Sequence, residues 1–177
     1  MKKYLFTILV CTVYLTLAVL AARHGSDFDV FLNAAAQLHK GQNIYMPPFV
    51  RDLQYFYSPL FALVLVPFSK YWFASKLGWL LLSGLMLYRI WILIKREFDL
   101  TVFSRKEYML WGSISFFFTL RFILVNMANI QVTIFLLWAI LESLRLFKNK
   151  YALAGAMLLA FAINVKLLPL PILLYMV

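Results

Sequence analysis

The sequence contains few residues capable of acid–base or ionic chemistry, and two of them, Asp27 and Asp29, follow the first apolar run. A carboxylate at this position can act as a general base toward a hydroxyl group, provided that a substrate comes within hydrogen-bond reach. Alternatively, both acids cap the helix that follows them, because acidic residues are common in the first helical turn. The pair by itself leaves both interpretations open.

Two cations interrupt apolar sequence. Arg121 lies near the end of the apolar stretch 116–125, and Lys166 separates two apolar runs shortly before Pro169 and Pro171. A cation within a membrane span costs about 2.5–3.5 kcal/mol on the insertion scale, so each side chain needs a partner or must reach the interface. A lipid phosphate is a suitable anionic partner for both. Snorkelling to the membrane surface is the alternative for both.

Three uncharged residues are further candidates for binding substrate. Asn129 and Gln131 lie in a polar turn between two apolar runs, and the Gln131 amide can hydrogen-bond a lipid headgroup or a sugar. Tyr57 can line a groove for a lipid or a sugar. Tyrosine is also common at any membrane interface, so an interfacial role is the alternative for Tyr57.

The composition predicts an integral membrane protein. Of 177 residues, 64% are hydrophobic and 14% are charged, and the mean hydropathy is +0.85. The net charge of +10 comes from Lys and Arg clusters at the ends of apolar runs, which indicates membrane anchoring, and we expect no nucleic-acid partner. The single Cys11 excludes an internal disulfide, and two histidines argue against a zinc site. We predict no metal site, although an Asp-x-Asp pair is able to hold a divalent cation.

The apolar runs predict an all-α polytopic fold with about five full spans and a truncated sixth. The expected spans are residues 4–22, 72–94, 108–125, 130–147 and 151–165, with the sixth beginning at residue 167. A cleaved signal peptide is the alternative for the first run, and an uncleaved anchor fits its length better. The chain ends within apolar sequence, so we expect residues 1–177 to be one transmembrane domain from the N-terminal part of a longer protein. A natural short protein is the alternative.

Between the first two expected spans, residues 23–54 form the longest polar stretch. Phe28, Phe31 and Leu38 recur at helical spacing, which predicts an amphipathic helix on the membrane surface. On this helix Asp29 is expected to face water with Asn33 and Gln37, and Ser26 and Asp29 resemble a capping box. Residues 57–68 are apolar but too few to span, which predicts a re-entrant or interfacial segment.

The distribution of Lys and Arg predicts the orientation. If residues 57–68 do not cross, the dense basic clusters at 2–3, 95–96, 105–106 and 145–150 all lie on the cytoplasmic side with the N-terminus. The Asp27 loop, the 126–131 turn and Lys166 then share the extracytoplasmic face. This convergence of scarce polar residues is the main functional indication.

Five motifs in a fixed order resemble glycosyltransferase family 87, which belongs to the GT-C superfamily of membrane glycosyltransferases. The motifs are Asp27-Phe28-x-Val30-Phe31-x-x-Ala34-Ala35, Gly41-x-x-x-Tyr45, Tyr57-Ser58-Pro59-Leu60 with Pro67, Asn129-x-Gln131-Val132 and Lys166-x-x-Pro169. The resemblance covers nearly the whole chain. Family members commonly have Tyr-Pro-Pro-Leu and Gly-Gln where this chain has Tyr57-Ser58-Pro59-Leu60 and Ile130-Gln131. The family includes mycobacterial polyprenol-phosphate-mannose-dependent alpha-1,2-mannosyltransferases.

The resemblance implies a GT-C-like helical bundle that moves a hexose, expected to be mannose, from a polyprenyl-phosphate donor to an extracytoplasmic glycan or glycolipid acceptor. It implies Asp27 as the general base, no cofactor, and the bacterial plasma membrane as the location, with membrane lipids around the protein. The expected substrate-binding residues are Asp29, Tyr57, Arg121, Asn129, Gln131 and Lys166. Family enzymes are about twice as long, so we expect this portion alone to be inactive. The alternatives are part of a transporter or lipid flippase, or a non-catalytic membrane subunit.

Overall fold

A computed structural model describes residues 2–97 and 103–176. Within these residues the regular structure consists of helices, and the predicted all-α class is confirmed. The helices are α1 (Lys2–Arg23), α2 (Asp27–His39), α3 (Pro59–Leu65), α4 (Trp72–Glu97), α5 (Arg105–Asn129), α6 (Thr133–Lys148), α7 (Ala152–Val165) and α8 (Ile172–Met176), with a 3-10 turn at Val66–Phe68 after α3.

Helices α4 and α5 are long and apolar enough to cross a membrane. Helix α1 meets the same requirement when Thr7–Arg23 is taken together with α2 as one span bent by 55°. Helices α6 and α7 have 16 and 14 residues, which at 1.5 Å per residue is about 24 and 21 Å, against about 30 Å of hydrocarbon. Length and composition therefore support two or three spans among the described residues, fewer than the five expected.

Helix α4 is the central element, because it packs against both α1 and α6, and α6 pairs in turn with α7. Helices α1 and α4 approach closely at Gly84, where an added Cβ would lie 2.8 Å from the Tyr14 ring. Helix α5 contacts α1 and exposes Phe117 and Phe122 on its outer side. An apolar outer surface of this kind suits contact with lipid.

A charged cluster lies in the half of α4 remote from Lys76. The Glu142 carboxylate of α6 accepts hydrogen bonds from Arg89 of α4, at 3.1 and 3.2 Å, and from Arg145 of its own helix, at 2.6 and 2.9 Å. Beyond it, Lys148 pairs with Glu97. These pairs join the C-terminal halves of α4 and α6, away from the polar residues described below.

Helix α2 is not the expected surface helix, because both of its faces are covered. Its apolar face is buried against α3 and the 3-10 turn. The expectation that Asp29, Asn33 and Gln37 face water is wrong: Asp29 and Gln37 are buried and Asn33 is half-buried. The loop after α2 folds back over this stripe, and the Asn33 and Gln37 amides donate to the Pro48 carbonyl oxygen at 3.2 and 2.8 Å.

The segment before α4, which was predicted to be re-entrant or interfacial, contains a short helix. Helix α3 begins at Pro59, where Ser58 accepts the Leu60 N–H at 3.1 Å, and it has seven residues. Its Phe61 ring packs 5.4 Å from the Phe31 ring of α2. Because the His24 carbonyl contacts Lys76, the end of α1 and the start of α4 lie on the same side of the bundle. If residues 57–68 do not cross the membrane, α1 must end and α4 must begin on the same side of it, as they do here.

Candidate functional site

The first contact of the site joins Asp27 to Gln131. Asp27 is the first residue of α2 and is half-buried, and its Oδ2 accepts a hydrogen bond from the Gln131 Nε2 at 3.2 Å. Gln131 follows Ile130, which ends α5 with a φ of 49°. This left-handed conformation is rare for a β-branched residue. The Trp79 indole donates to the Gln131 carbonyl oxygen at 3.3 Å, so the turn after α5 is held by both Asp27 and α4.

Tyr57 lies beside the same carboxylate. Its ring packs edge-on against Phe31, 4.7 Å between centroids, and its carbonyl oxygen accepts the Tyr45 hydroxyl at 3.1 Å. Burial raises the pKa of the Tyr57 hydroxyl above its ordinary value of 10.0, and the negative charge of Asp27 raises it further. The Tyr57 hydroxyl therefore stays protonated at neutral pH and is able to donate a hydrogen bond.

Lys166 brings a positive charge to this group. It ends α7 in an extended conformation, and its Nζ lies 6.0 Å from the centroid of the Tyr57 ring, within the usual range of a cation–π contact. The end of α7 is fixed there because the Ser58 hydroxyl donates to the Asn164 side chain. Lys166 itself is exposed, so its ammonium group is accessible to an anion.

Four of the seven predicted site residues therefore come together: Asp27, Tyr57, Gln131 and Lys166. They come from four different parts of the chain and supply a carboxylate, a neutral phenol, an amide and an ammonium group. The carboxylate is able to accept a proton, the phenol and amide are able to orient polar groups, and the ammonium is able to balance an anion. Such a set suits a reaction that moves a proton while negative charge develops nearby.

Asp29 has a different environment from Asp27. Its Oδ1 accepts a hydrogen bond from the Lys76 Nζ at 2.9 Å, and its Oδ2 accepts the Ser26 N–H at 2.8 Å, which belongs to the predicted capping box. Lys76 also donates to the His24 carbonyl oxygen at 2.6 Å. Sequence analysis did not single out Lys76, although a lysine one turn inside an apolar helix was a usable signal.

Arg121 and Asn129 make no hydrogen bond or ion pair with these four residues in the part of the chain that the structure describes. Arg121 is exposed on α5, with no hydrogen-bond or ion-pair partner in residues 2–97 and 103–176, as a snorkelling side chain would be. The Asn129 amide donates to Val125 of its own helix at 3.1 Å. Among the residues that the structure describes, no three His, Cys, Asp or Glu side chains lie together as metal ligands would.

Comparison with known families identifies the family to which the chain is similar. The family model of glycosyltransferase family 87 matches residues 55–177, well over half of the chain. The matched segment contains Tyr57, Gln131 and Lys166 and begins after α2, so Asp27 and Asp29 precede it. The comparisons with curated proteins and with solved structures gave no match.

Proposed function

Because the chain belongs to glycosyltransferase family 87, we propose that it transfers a hexose from a polyprenyl-phosphate donor to an acceptor hydroxyl, with Asp27 as the general base. The family and the apolar helices support a membrane glycosyltransferase. The observation that carries the choice of base is the contact between Asp27 and Gln131, because it joins the carboxylate to a residue of the matched segment.

The proposed reaction is a single displacement at the anomeric carbon of the donor sugar. The acceptor oxygen forms a bond to that carbon while the bond from the carbon to the phosphate oxygen breaks. The acceptor proton moves to Asp27, and the electron pair of the broken bond leaves with polyprenyl phosphate. Gln131 donates to the Oδ2 of Asp27, which orients the carboxylate and leaves Oδ1 to receive the proton.

The departing phosphate gains negative charge in the transition state, and a fixed cation nearby stabilises that charge. Lys166 is suited to this role because its ammonium is exposed and is held over the Tyr57 ring. The neutral Tyr57 hydroxyl is suited to donate a hydrogen bond to a sugar or phosphate oxygen. In this reaction Asp27 thus acts on the acceptor hydroxyl, and Lys166 acts on the departing phosphate.

The finer identity of the substrates rests on the family resemblance. We propose mannose as the hexose and a glycan or glycolipid as the acceptor, on the extracytoplasmic face of a bacterial plasma membrane. The basic clusters at residues 95–96, 105–106 and 145–150 support this orientation. A lipid-linked donor suits this face, because it needs no nucleotide to cross the membrane.

The direct test is sugar transfer by the full-length protein in proteoliposomes. Radiolabelled polyprenyl-phosphate mannose and a mannosylated glycolipid acceptor are supplied, with nucleotide-linked mannose as the alternative donor in a parallel reaction. We expect label in the acceptor from the lipid donor alone. Transfer from the nucleotide donor alone would contradict the donor class. Movement of the lipid donor between leaflets without any transfer would favour the flippase alternative.

A further inference from the structure

We infer that Lys76 is a positioning residue for Asp27. It acts through the corner between α1 and α2, which comprises residues 24–29. This inference rests on the proposed role of Asp27 as the base. Lys76 is not a catalytic residue, because its two hydrogen-bond partners are His24 and Asp29.

The pair between Lys76 and Asp29 is the most buried ion pair in the described part of the chain. Both side chains are 6% exposed, whereas the pairs of Glu142 and the pair of Lys148 with Glu97 each contain a side chain at least 22% exposed. Two ions that are shielded from water hold each other in a defined geometry, and removing either leaves the other unpaired. A contact of this kind is able to fix the position of the backbone that carries it.

The two bonds of Lys76 reach both sides of Asp27. One goes to the His24 carbonyl oxygen, three residues before Asp27, and the other goes to the Asp29 carboxylate, two residues after it. The ammonium therefore ties both ends of the corner to one point of α4. If the tie is lost, the corner that carries Asp27 is free to shift relative to α4.

The same face of α4 also holds the partner of Asp27. Trp79 lies three residues after Lys76, which places the two side chains on neighbouring positions of the helix surface. The Trp79 indole donates to the Gln131 carbonyl oxygen at 3.3 Å. One turn of α4 thus aligns the carboxylate of Asp27 and the amide of Gln131 with each other. A displacement of about 1 Å from such an alignment is able to cost about 100-fold in rate.

The competing explanation is that Lys76 only balances the buried charge of Asp29. Lys76→Met in an Asp29→Asn background separates the two, because no unpaired charge remains and the tie is still lost. We expect this double variant to have a kcat about 10- to 100-fold below that of Asp29→Asn alone, with a donor KM close to that of Asp29→Asn. In the same Asp29→Asn background, Lys76→Arg keeps a cation with several donors. It should therefore recover part of the kcat that Lys76→Met loses. The control is Arg89→Met, which breaks an ion pair in the other half of α4 and should leave kcat near wild type.

A second readout does not depend on sugar transfer. Cysteines replace Asp27 and Gln131 in a Cys11→Ser background, and a short bifunctional thiol reagent joins them. We expect Lys76→Met/Asp29→Asn to slow this cross-link relative to Asp29→Asn, and Arg89→Met to leave its rate unchanged. If Lys76→Met does not yield folded protein, Lys76→Gln in the same background replaces it.

Equal kcat and equal cross-linking in Asp29→Asn and in Lys76→Met/Asp29→Asn would overturn the inference, because the pair would then only balance charge. Absence of sugar transfer by the wild-type protein would count against the proposed function instead. In that case the cross-linking rate would still decide whether Lys76 holds the corner that carries Asp27.

Discussion

The Asp27 carboxylate and the Gln131 amide meet at 3.2 Å although 104 residues separate them in the chain. Asp27 follows the end of α1, and Gln131 follows the end of α5. The contact exists because these two helices end at the same side of the bundle. The site is therefore built from helix ends and short loops, which is where polar groups at a membrane surface are able to meet a lipid headgroup and water.

Removing the Gln131 amide should slow the reaction without unfolding the protein. A hydrogen bond to a charged group contributes about 1.5–3 kcal/mol, so we expect Gln131→Leu to lower kcat about 10- to 100-fold. The unfolding temperature should change little, because Gln131 is half-buried. Gln42→Leu, which removes an exposed amide from the loop after α2, is the control. Equal kcat values for the two variants would refute the role of Gln131.

The hydroxyl of Tyr57 should ionise only in strongly alkaline solution. Burial and the charge of Asp27 both favour its neutral form, so its pKa in the folded protein lies above 10.0. Its contribution to the free energy of unfolding is then fully present below pH 10 and is lost as the pH rises through the raised pKa. An ultraviolet titration of wild type minus Tyr57→Phe measures this ionisation directly. Asp27→Asn should move it to lower pH, and ionisation of Tyr57 below pH 10 would contradict the described environment.

Lys166 and Arg121 should differ in their effect on donor binding. Lys166 is held beside Tyr57, whereas Arg121 is exposed on α5. We expect Lys166→Met to weaken binding of a polyprenyl-phosphate sugar about 10-fold, the scale of a lost charge-assisted hydrogen bond. Arg121→Met should bind the donor almost as tightly as wild type. A larger loss of donor affinity in Arg121→Met than in Lys166→Met would contradict this assignment and would indicate that Arg121 of α5 contacts the phosphate.

The orientation of the bundle is open to cysteine labelling. In a Cys11→Ser background, we expect cysteines at Gly25 and Asn129 to react with an impermeant reagent added outside intact cells. Cysteines at Arg105 and Asn149 should react only after the membrane is opened, because the pair of Lys148 with Glu97 keeps the end of α6 on the same side of the bundle as the end of α4. This pattern follows from the retention of basic clusters on the cytoplasmic side. Labelling of position 105 from outside would require residues 57–68 to cross.

Hydropathy and charge predicted the helical class, and they placed the Asp27 loop, the 126–131 turn and Lys166 on one face. The structure brings Asp27, Gln131 and Lys166 together there, with Tyr57 between them. These properties depend on where apolar sequence begins and ends, and that is visible in the sequence itself. The two spans predicted within residues 130–165 were less reliable than the helical class. An apolar run in the sequence includes capping and turn residues, so the helix inside it is shorter than the run. The helices inside those runs are only 16 and 14 residues long.

The environment of Asp29 was not predictable from helical spacing. The spacing correctly separates the two faces of α2, but it does not show what covers each face. The polar face is covered by the loop at Pro48 and by Lys76 from a helix that begins 43 residues after Asp29. Ile130 is a similar case, since isoleucine gives no indication of the left-handed conformation that the structure has there. Family members commonly have glycine at this position, which adopts that conformation without strain.

The central claim is that Asp27 is the base, and the most direct test is the kcat of Asp27→Asn in the full-length protein with a polyprenyl-phosphate sugar donor. The substitution keeps the size of the side chain and an oxygen for Gln131 while removing the basic carboxylate. Loss of a general base lowers the rate about 10²- to 10⁴-fold, so we expect a loss in this range with donor binding retained. Asp52→Asn, which changes an exposed acid in the loop after α2, should keep wild-type kcat. Turnover by Asp27→Asn within a few-fold of wild type would contradict the account, and a collapse of kcat in Asp29→Asn alone would move the role to Asp29.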